Sequence, residues 1–275
     1  MQFNRTFFST PSAKVGMSII AFLLLVTFIG PFFIASPFEQ NVANKLQGPS
    51  WEHWLGTDDF GRDLLARMVV GARYSLSAGI ISVFLGLMGG LLLGALAGYY
   101  GGYLDKTIMM LCDILLSFPS VLLALAIVII MEPGIYTPMI AVGISSIPVF
   151  ARLVRAQFMY LRESSFIEAI RSSGASDLRI IFRHLLPNSI GPIIIQATLR
   201  IGSSILTAAT LSFLGLGAQP PTPEWGAILS SARKYLWTGA HMAVIPGMAI
   251  TMTVVAVNLV GDALRDYFDP RTRGL

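Results

Sequence analysis

Long apolar runs broken by short polar stretches set the pattern of this chain. A helix needs about 20 mostly apolar residues to cross the hydrocarbon core of a bilayer. Val15 to Ile34 carries no charge, follows Lys14 and is ended by Pro31 and Pro37. Its apolar core exceeds the roughly 7–15 residues of a signal-peptide core, and no A-x-A site follows, so it reads as a retained anchor. Tyr74 to Ala97 predicts the second span, and Thr107 to Met131 the third, with Asp113 near its start. Tyr136 to Ala151 is short and is expected to continue to about Phe158, with Arg152 and Arg155 reaching toward headgroups. Ile190 to Gly215, which holds Arg200, and Ala240 to Gly261 complete the set. The pattern predicts an all-α integral membrane protein with six transmembrane helices and both termini on one side.

The organisation follows from the spans. Residues 1–14 form an N-terminal segment, 15–36 the first span, 37–73 a loop on the opposite side, and 74–275 a five-helix core. Within the core, 157–189 and the proline- and tryptophan-rich 218–239 are too long to be turns, and long structured loops commonly carry function. Twelve Lys and Arg residues, among them Arg5, Lys14, Arg271 and Arg273, flank the spans on the side of the termini. Six lie on the other side, and Arg200 lies within a span. That bias predicts cytoplasmic termini.

Composition agrees with the pattern. Hydrophobic residues make up 54% of the 275 and charged residues only 12%, about half the charge of a soluble domain. A mean hydropathy of +0.70 exceeds what a water-soluble fold can cover. Disorder, which requires the opposite balance, is excluded. The net charge of +4 is assigned to residues flanking spans rather than to a nucleic-acid surface. A single cysteine, Cys112, excludes an intrachain disulfide or a cysteine-based zinc site, and His53, His184 and His241 are scattered. No catalytic, metal or cofactor-binding residues are expected on the chain.

The loop 157–189 holds the most informative local signals. Ser165 and Glu168 have the spacing of a capping box. A short helix through Ala169, Ile170 and Arg171 is expected to stop at Gly174. Ser176 is expected to cap a second helix from Asp177 to about Leu186, with Pro187 stopping it. Two short helices joined at a glycine would make a stiff knob; a plain surface loop is the alternative. In the second span, Ala78, Ser82, Gly86, Gly90, Gly94 and Gly98 form a ridge of small residues for close helix packing, inside the chain or against another subunit. A Walker A loop needs a glycine before its lysine. Lys14, Lys45, Lys106 and Lys234 follow Ala, Asn, Asp and Arg, so this chain cannot form that nucleotide site.

Glu168-Ala169, Gly174 and Leu186-Pro187 resemble the EAA loop of permease subunits in bacterial ATP-binding-cassette (ABC) importers, with Ile170 and His184 departing from the pattern. Three more stretches narrow the resemblance to the second, C-type permease of dipeptide, oligopeptide and nickel importers. They are His53 to Asp63, Ser212 to Gly226, and Asn258 to Asp266 with Asp269-Pro-Arg271. The resemblance implies a type I importer permease fold in the bacterial inner membrane. It also implies a second homologous permease, two ATPase subunits holding ATP and Mg, and an extracytoplasmic substrate-binding protein. Glu168, Ala169, Arg171, Gly174, Asp177 and Pro187 would then belong to the ATPase-coupling loop, and Pro221, Trp225 and Trp237 to the surface that docks the binding protein.

Arg200 lies deep in its span, where a charge must face water or a partner. It could line the pathway and meet a peptide carboxylate, pair with Asp113, or pair with the second permease. Peptides are the expected cargo, with nickel or a metal chelate as the alternative. An ion-driven carrier would more typically show paired broken helices and several midplane carboxylates. An intramembrane hydrolase would need a nucleophile motif, which Gly143 to Ile147 does not complete.

Overall fold

A computed structural model describes residues 7–8 and 10–268, and among these the regular structure is entirely helical. The sequence positions at Arg5, Arg271, Arg273 and Asp269-Pro-Arg271 lie outside the described residues. Helix α1 (Pro11–Ile29) opens on a proline at its first position, where a missing N–H costs nothing, and runs on into a 3-10 turn at Gly30–Phe32. Its Phe22, Leu25 and Phe28 are exposed, as expected of a helix on the lipid side of a bundle.

Helix α2 (Leu64–Tyr100) is 37 residues long, or about 55 Å at 1.5 Å per residue. It starts ten residues before the expected Tyr74, so the segment 37–73 is a loop only as far as Asp63. The start is set by Asp63, whose carboxylate accepts the Ala66 N–H at 2.8 Å. The charges that read as loop are absorbed by packing: Arg67 is buried, and Arg73 donates to the Thr27 carbonyl at 3.3 Å.

The expected third span is broken. Helices α3 (Gly102–Leu116) and α4 (Ser120–Ile130) meet at 93°. The residue before a proline is disfavoured in the helical region, and Phe118 precedes Pro119 at the break. Among the described residues, five helices can cross a membrane by length and composition, or six when α3 and α4 are counted as one bent span.

Helix α5 (Thr137–Arg162) continues through Phe158, the expected end, as far as Arg162, with Pro148 inside it. Helix α6 (Ser165–Ser172) and the single turn α7 (Asp177–Ile180) follow. A π-turn at Ile181–Leu185 then leads into α8 (Leu186–Phe213), so Pro187 opens a helix rather than closing one. The wide turn makes room for the proline ring, and Asn188 donates its side-chain amide to the His184 carbonyl at 2.6 Å. Helices α9 (Trp225–Ala232) and α10 (His241–Phe268) are the last among the described residues, with α10 packed between α1 and α8.

The seam between α2 and α5 is the most extensive in the molecule, and the small-residue ridge builds it. A Cβ on Gly90 would lie 2.3 Å from the Phe150 Cβ and 2.8 Å from the Ala151 nitrogen. Only a hydrogen fits there, so the ridge serves packing inside the chain. Ser82, on the same ridge, donates to the Met139 carbonyl at 2.9 Å.

Candidate functional site

At one end of the bundle, α6 projects as a short amphipathic helix. Ile167 is buried, while Glu168, Ala169 and Arg171 are exposed, so one face anchors and the other is presented. The capping box does not form. Ser164, not Ser165, occupies the N-cap position, and its hydroxyl donates backward to the Leu161 carbonyl at 2.6 Å. Ser176 sits at the N-cap of α7 but its side chain makes no capping bond. Gly174 lies at φ +81°, the left-handed geometry expected of the stop between the two helices.

The anchoring of α6 and α7 converges on Tyr99 at the end of α2. Its hydroxyl donates to Asp177 Oδ1 at 2.5 Å, and Arg171 stacks 5.6 Å above its ring. Arg162 of α5 donates to the Tyr99 carbonyl at 2.7 Å. Beneath them, Ile167 shares one apolar cluster with Val154 and Phe158 of α5, Ile180 of α7, Leu185 of the π-turn and Ile193 of α8. A push on α6 therefore reaches α2, α5 and α8 together. The sequence singled out Arg171 and Asp177 but gave no sign that Tyr99 joins them, because the three are far apart in the chain. Beside α6 lies an open groove lined by Ala169, Ile170, Ser173, Arg179 and His184. Pro187 is exposed and lies apart from it, at the start of α8.

Arg155 of α5 grips Asp105 of α3 through two hydrogen bonds, one of them 2.6 Å, and Arg152 pairs with Asp113 at 2.5 Å. Asp113, one of the partners considered for Arg200, is thus occupied by Arg152. Arg200 itself is half-buried and makes no ion pair among the described residues. It belongs to a feature that the sequence contained and that was not read from it. Gln196, Arg200, Ser203, Thr207 and Thr210 recur at alternating spacings of four and three, which puts them on one face of α8.

At the opposite end, residues 37–63 fold over the start of α2. Asp58 is buried and pairs with Arg62 at 2.6 Å and Arg67 at 3.2 Å. Burial first, and then the neighbouring Asp58 charge, pushes the Asp59 carboxyl above the ordinary carboxylate range. Glu224 caps α9 by accepting the N–H groups of Gly226 and Ala227, each at 2.9 Å, and the Ser75 hydroxyl at 3.0 Å. Burial outweighs these bonds and pushes its carboxyl up as well.

The Trp225 side chain is buried rather than presented at the surface. It is 2% exposed and donates its indole N–H to the Met68 carbonyl at 3.0 Å, pinning α9 to α2. Trp237 is fully exposed and Pro221 is exposed, so these two remain at the surface.

Residues 90–274 match the family described as binding-protein-dependent transport system inner membrane component, and residues 2–49 the N-terminal transmembrane domain of oligopeptide transport permease C. A dipeptide transport system permease of Alkalihalophilus pseudofirmus is 48% identical over 262 residues, covering 95% of this chain and 86% of that protein. A glutathione transport system permease of Pectobacterium atrosepticum is 49% identical over 255 residues, covering 93% and 84%. The inward-facing methionine ABC transporter superposes with a TM-score of 0.59 at 21% identity, covering 73% of this chain and 96% of that one.

Proposed function

The chain belongs to the family of inner-membrane components of binding-protein-dependent transport systems, and as the permease of such an importer we propose that it carries peptides. Similarity to dipeptide and glutathione permeases supports that cargo. In this reading the chain supplies half of a translocation pathway and a homologous, different permease supplies the other half. Two ATPase subunits bind ATP and Mg and dock at the α6 end, which is cytoplasmic together with both termini. A binding protein delivers cargo to the other end, where Pro221 and Trp237 are exposed.

The observation that carries the reading is the construction of α6. An exposed face of Glu168, Ala169 and Arg171 sits on a helix whose buried face is tied through Ile167 and Tyr99 to three long helices. Closure of the ATPases on ATP moves this lever, and rigid ties pass the movement into the bundle. Glu168 and Arg171 supply polar contacts to the ATPase groove, and Ala169 lets its surface approach closely. The chain itself makes and breaks no covalent bond.

The test is to tag the chain, extract it in mild detergent, identify the copurifying subunits and assay ATP hydrolysis with and without binding protein. A second permease and an ATPase in stoichiometric amounts, with hydrolysis stimulated by peptide-loaded binding protein, are expected. A chain that purifies alone from several detergents sinks the reading and turns attention to an ion-driven carrier.

A further inference from the structure

Arg200 sits at the middle of α8, about 21 Å along the helix from its start. A guanidinium at that depth is costly unless something answers it, and no carboxylate among the described residues does. Around it is a small cavity of about 30 Å³ whose walls are mostly hydroxyl groups, from Ser120, Ser145, Ser146, Ser204 and Thr207. The Ser145, Ser146 and Thr207 hydroxyls are satisfied by backbone carbonyls of their own helices. Ser204 differs: its residue is 1% exposed, and its Oγ is buried with no hydrogen-bond partner. An orphaned buried hydroxyl lining a polar cavity is a group waiting for a ligand.

The third side of the cavity is formed by the break between α3 and α4. Ser120 is the first residue of α4, and no side chain caps that helix start. The first N–H groups of a helix lack internal partners and carry partial positive charge, which favours an anion. Broken helices inside membranes use such starts in the same way. Arg200, the free hydroxyl of Ser204 and the first residue of the uncapped α4 therefore line the same small cavity from α8 and α4, all three suited to negative charge.

The polar stripe extends the point into a track. Ser203 is exposed, and Gln196, Arg200, Thr207 and Thr210 are half-buried on the same face of α8. A face this polar is unsuited to lipid tails, so it borders water or the second permease.

We propose that Arg200, Ser204 and the α4 start at Ser120 form a midplane subsite for a carboxylate of the peptide in transit. The cavity holds only the head of such a group, with the rest of the peptide lying along the Ser203 face. Because the subsite is small and single, it holds the cargo by its charged end and leaves side chains free, which suits a pathway passing peptides of varied sequence. This rests on the peptide-importer reading above.

The first experiment needs no cargo. The reconstituted importer, in a Cys112→Ala background carrying Ser203→Cys, is treated with thiosulfonate reagents ending in a sulfonate or a trimethylammonium group. Rates are normalised to a small free thiol in solution. The sulfonate reagent is expected to be favoured, and Arg200→Gln to lower the ratio of the two rates at least tenfold. A site that neither reagent reaches, or a ratio untouched by Arg200→Gln, overturns the proposal.

The second experiment separates a cargo carboxylate from one on the neighbouring permease. Uptake of labelled dialanine, trialanine and glutathione is measured for the native importer, Arg200→Gln and Arg200→Lys. Arg200→Gln should lower uptake at least tenfold with the second permease still copurifying in native stoichiometry, and Arg200→Lys should recover part of the loss. Loss of the second permease from the Arg200→Gln complex assigns the carboxylate to that chain, and unchanged uptake assigns Arg200 no role; either result overturns the subsite. A native importer that carries none of the three peptides fails the cargo reading before any variant is considered, and the subsite falls with it.

Discussion

Tyr99→Phe removes one oxygen from the joint between the lever and the bundle and leaves the rest of the joint in place. The ring stays, so the apolar cluster around Ile167 and the stacked Arg171 at 5.6 Å are kept. What goes is the 2.5 Å hydrogen bond to Asp177 Oδ1, which ties α7 to α2, together with the longer 3.4 Å bond that the hydroxyl accepts from Arg171. A hydrogen bond to a charged group contributes about 1.5–3 kcal/mol. Asp177 is exposed and water can replace the phenol there, so the lower end applies, about 1.5 kcal/mol. That is a tenfold change in an equilibrium. Amide hydrogen exchange in purified complex should therefore accelerate by about tenfold between residues 175 and 185, where local opening is governed by this tie, and stay unchanged along α5. Peptide delivered per ATP hydrolysed should fall, because the lever moves without carrying α2 with it. Exchange within twofold of the native complex, together with unchanged coupling, would refute the idea that Tyr99 transmits the motion. Tyr99→Ala is the poorer probe, since it also empties a packed ring site.

Three other perturbations test separate parts of the account. Gly90→Ala should lower the melting temperature of the complex, because its Cβ would lie 2.3 Å from the Phe150 Cβ. Overpacking of about 1–3 kcal/mol exceeds the roughly 1 kcal/mol that alanine adds in helix propensity, and an unchanged melt contradicts the close seam. Gly174→Trp forces a bulky residue to φ +81°, but nothing lies within 4 Å of its Cβ, so the bundle should assemble while ATP hydrolysis uncouples from uptake. Native uptake by that variant removes the lever from the mechanism. Glu224, whose carboxyl is raised by burial, binds its proton more tightly folded than unfolded. Stability should therefore fall as pH climbs from the ordinary value of 4.5 through the raised one, and Glu224→Gln should flatten that slope in thermal melts, leaving the share of Asp59. An identical slope in the variant would place the pH dependence elsewhere.

The spans were legible because twenty apolar residues in a row have few other uses, and Gly174 because a helix stop needs a left-handed residue. The start of α2 was hidden by Arg67 and Arg73, which look like loop charges until one is seen buried with Asp58 and the other bonded to the Thr27 carbonyl. Pro119 was visible, yet only the structure tells that it bends its span by 93° while Pro148, Pro192 and Pro246 are held inside helices. Trp225 was expected at the surface that docks the binding protein, and its burial depends on Met68, which no local pattern brings near it. Tyr99 was missed for the same reason: three helices, α3, α4 and α5, separate it in the chain from its partners Arg171 and Asp177. The stripe from Gln196 to Thr210 is a different kind of miss, since its spacing was present in the sequence and Arg200 drew attention from its neighbours.

The central claim is that α6 is where the ATPase takes hold. A photoactivatable crosslinker placed at Ala169 in the assembled importer tests it directly, with Trp237 at the other end of the bundle as the comparison position. The account predicts an adduct between position 169 and the ATPase whose yield changes when ATP binds, and an adduct between position 237 and the binding protein. An ATPase adduct at 237, or none at 169 in a complex that hydrolyses ATP, contradicts it.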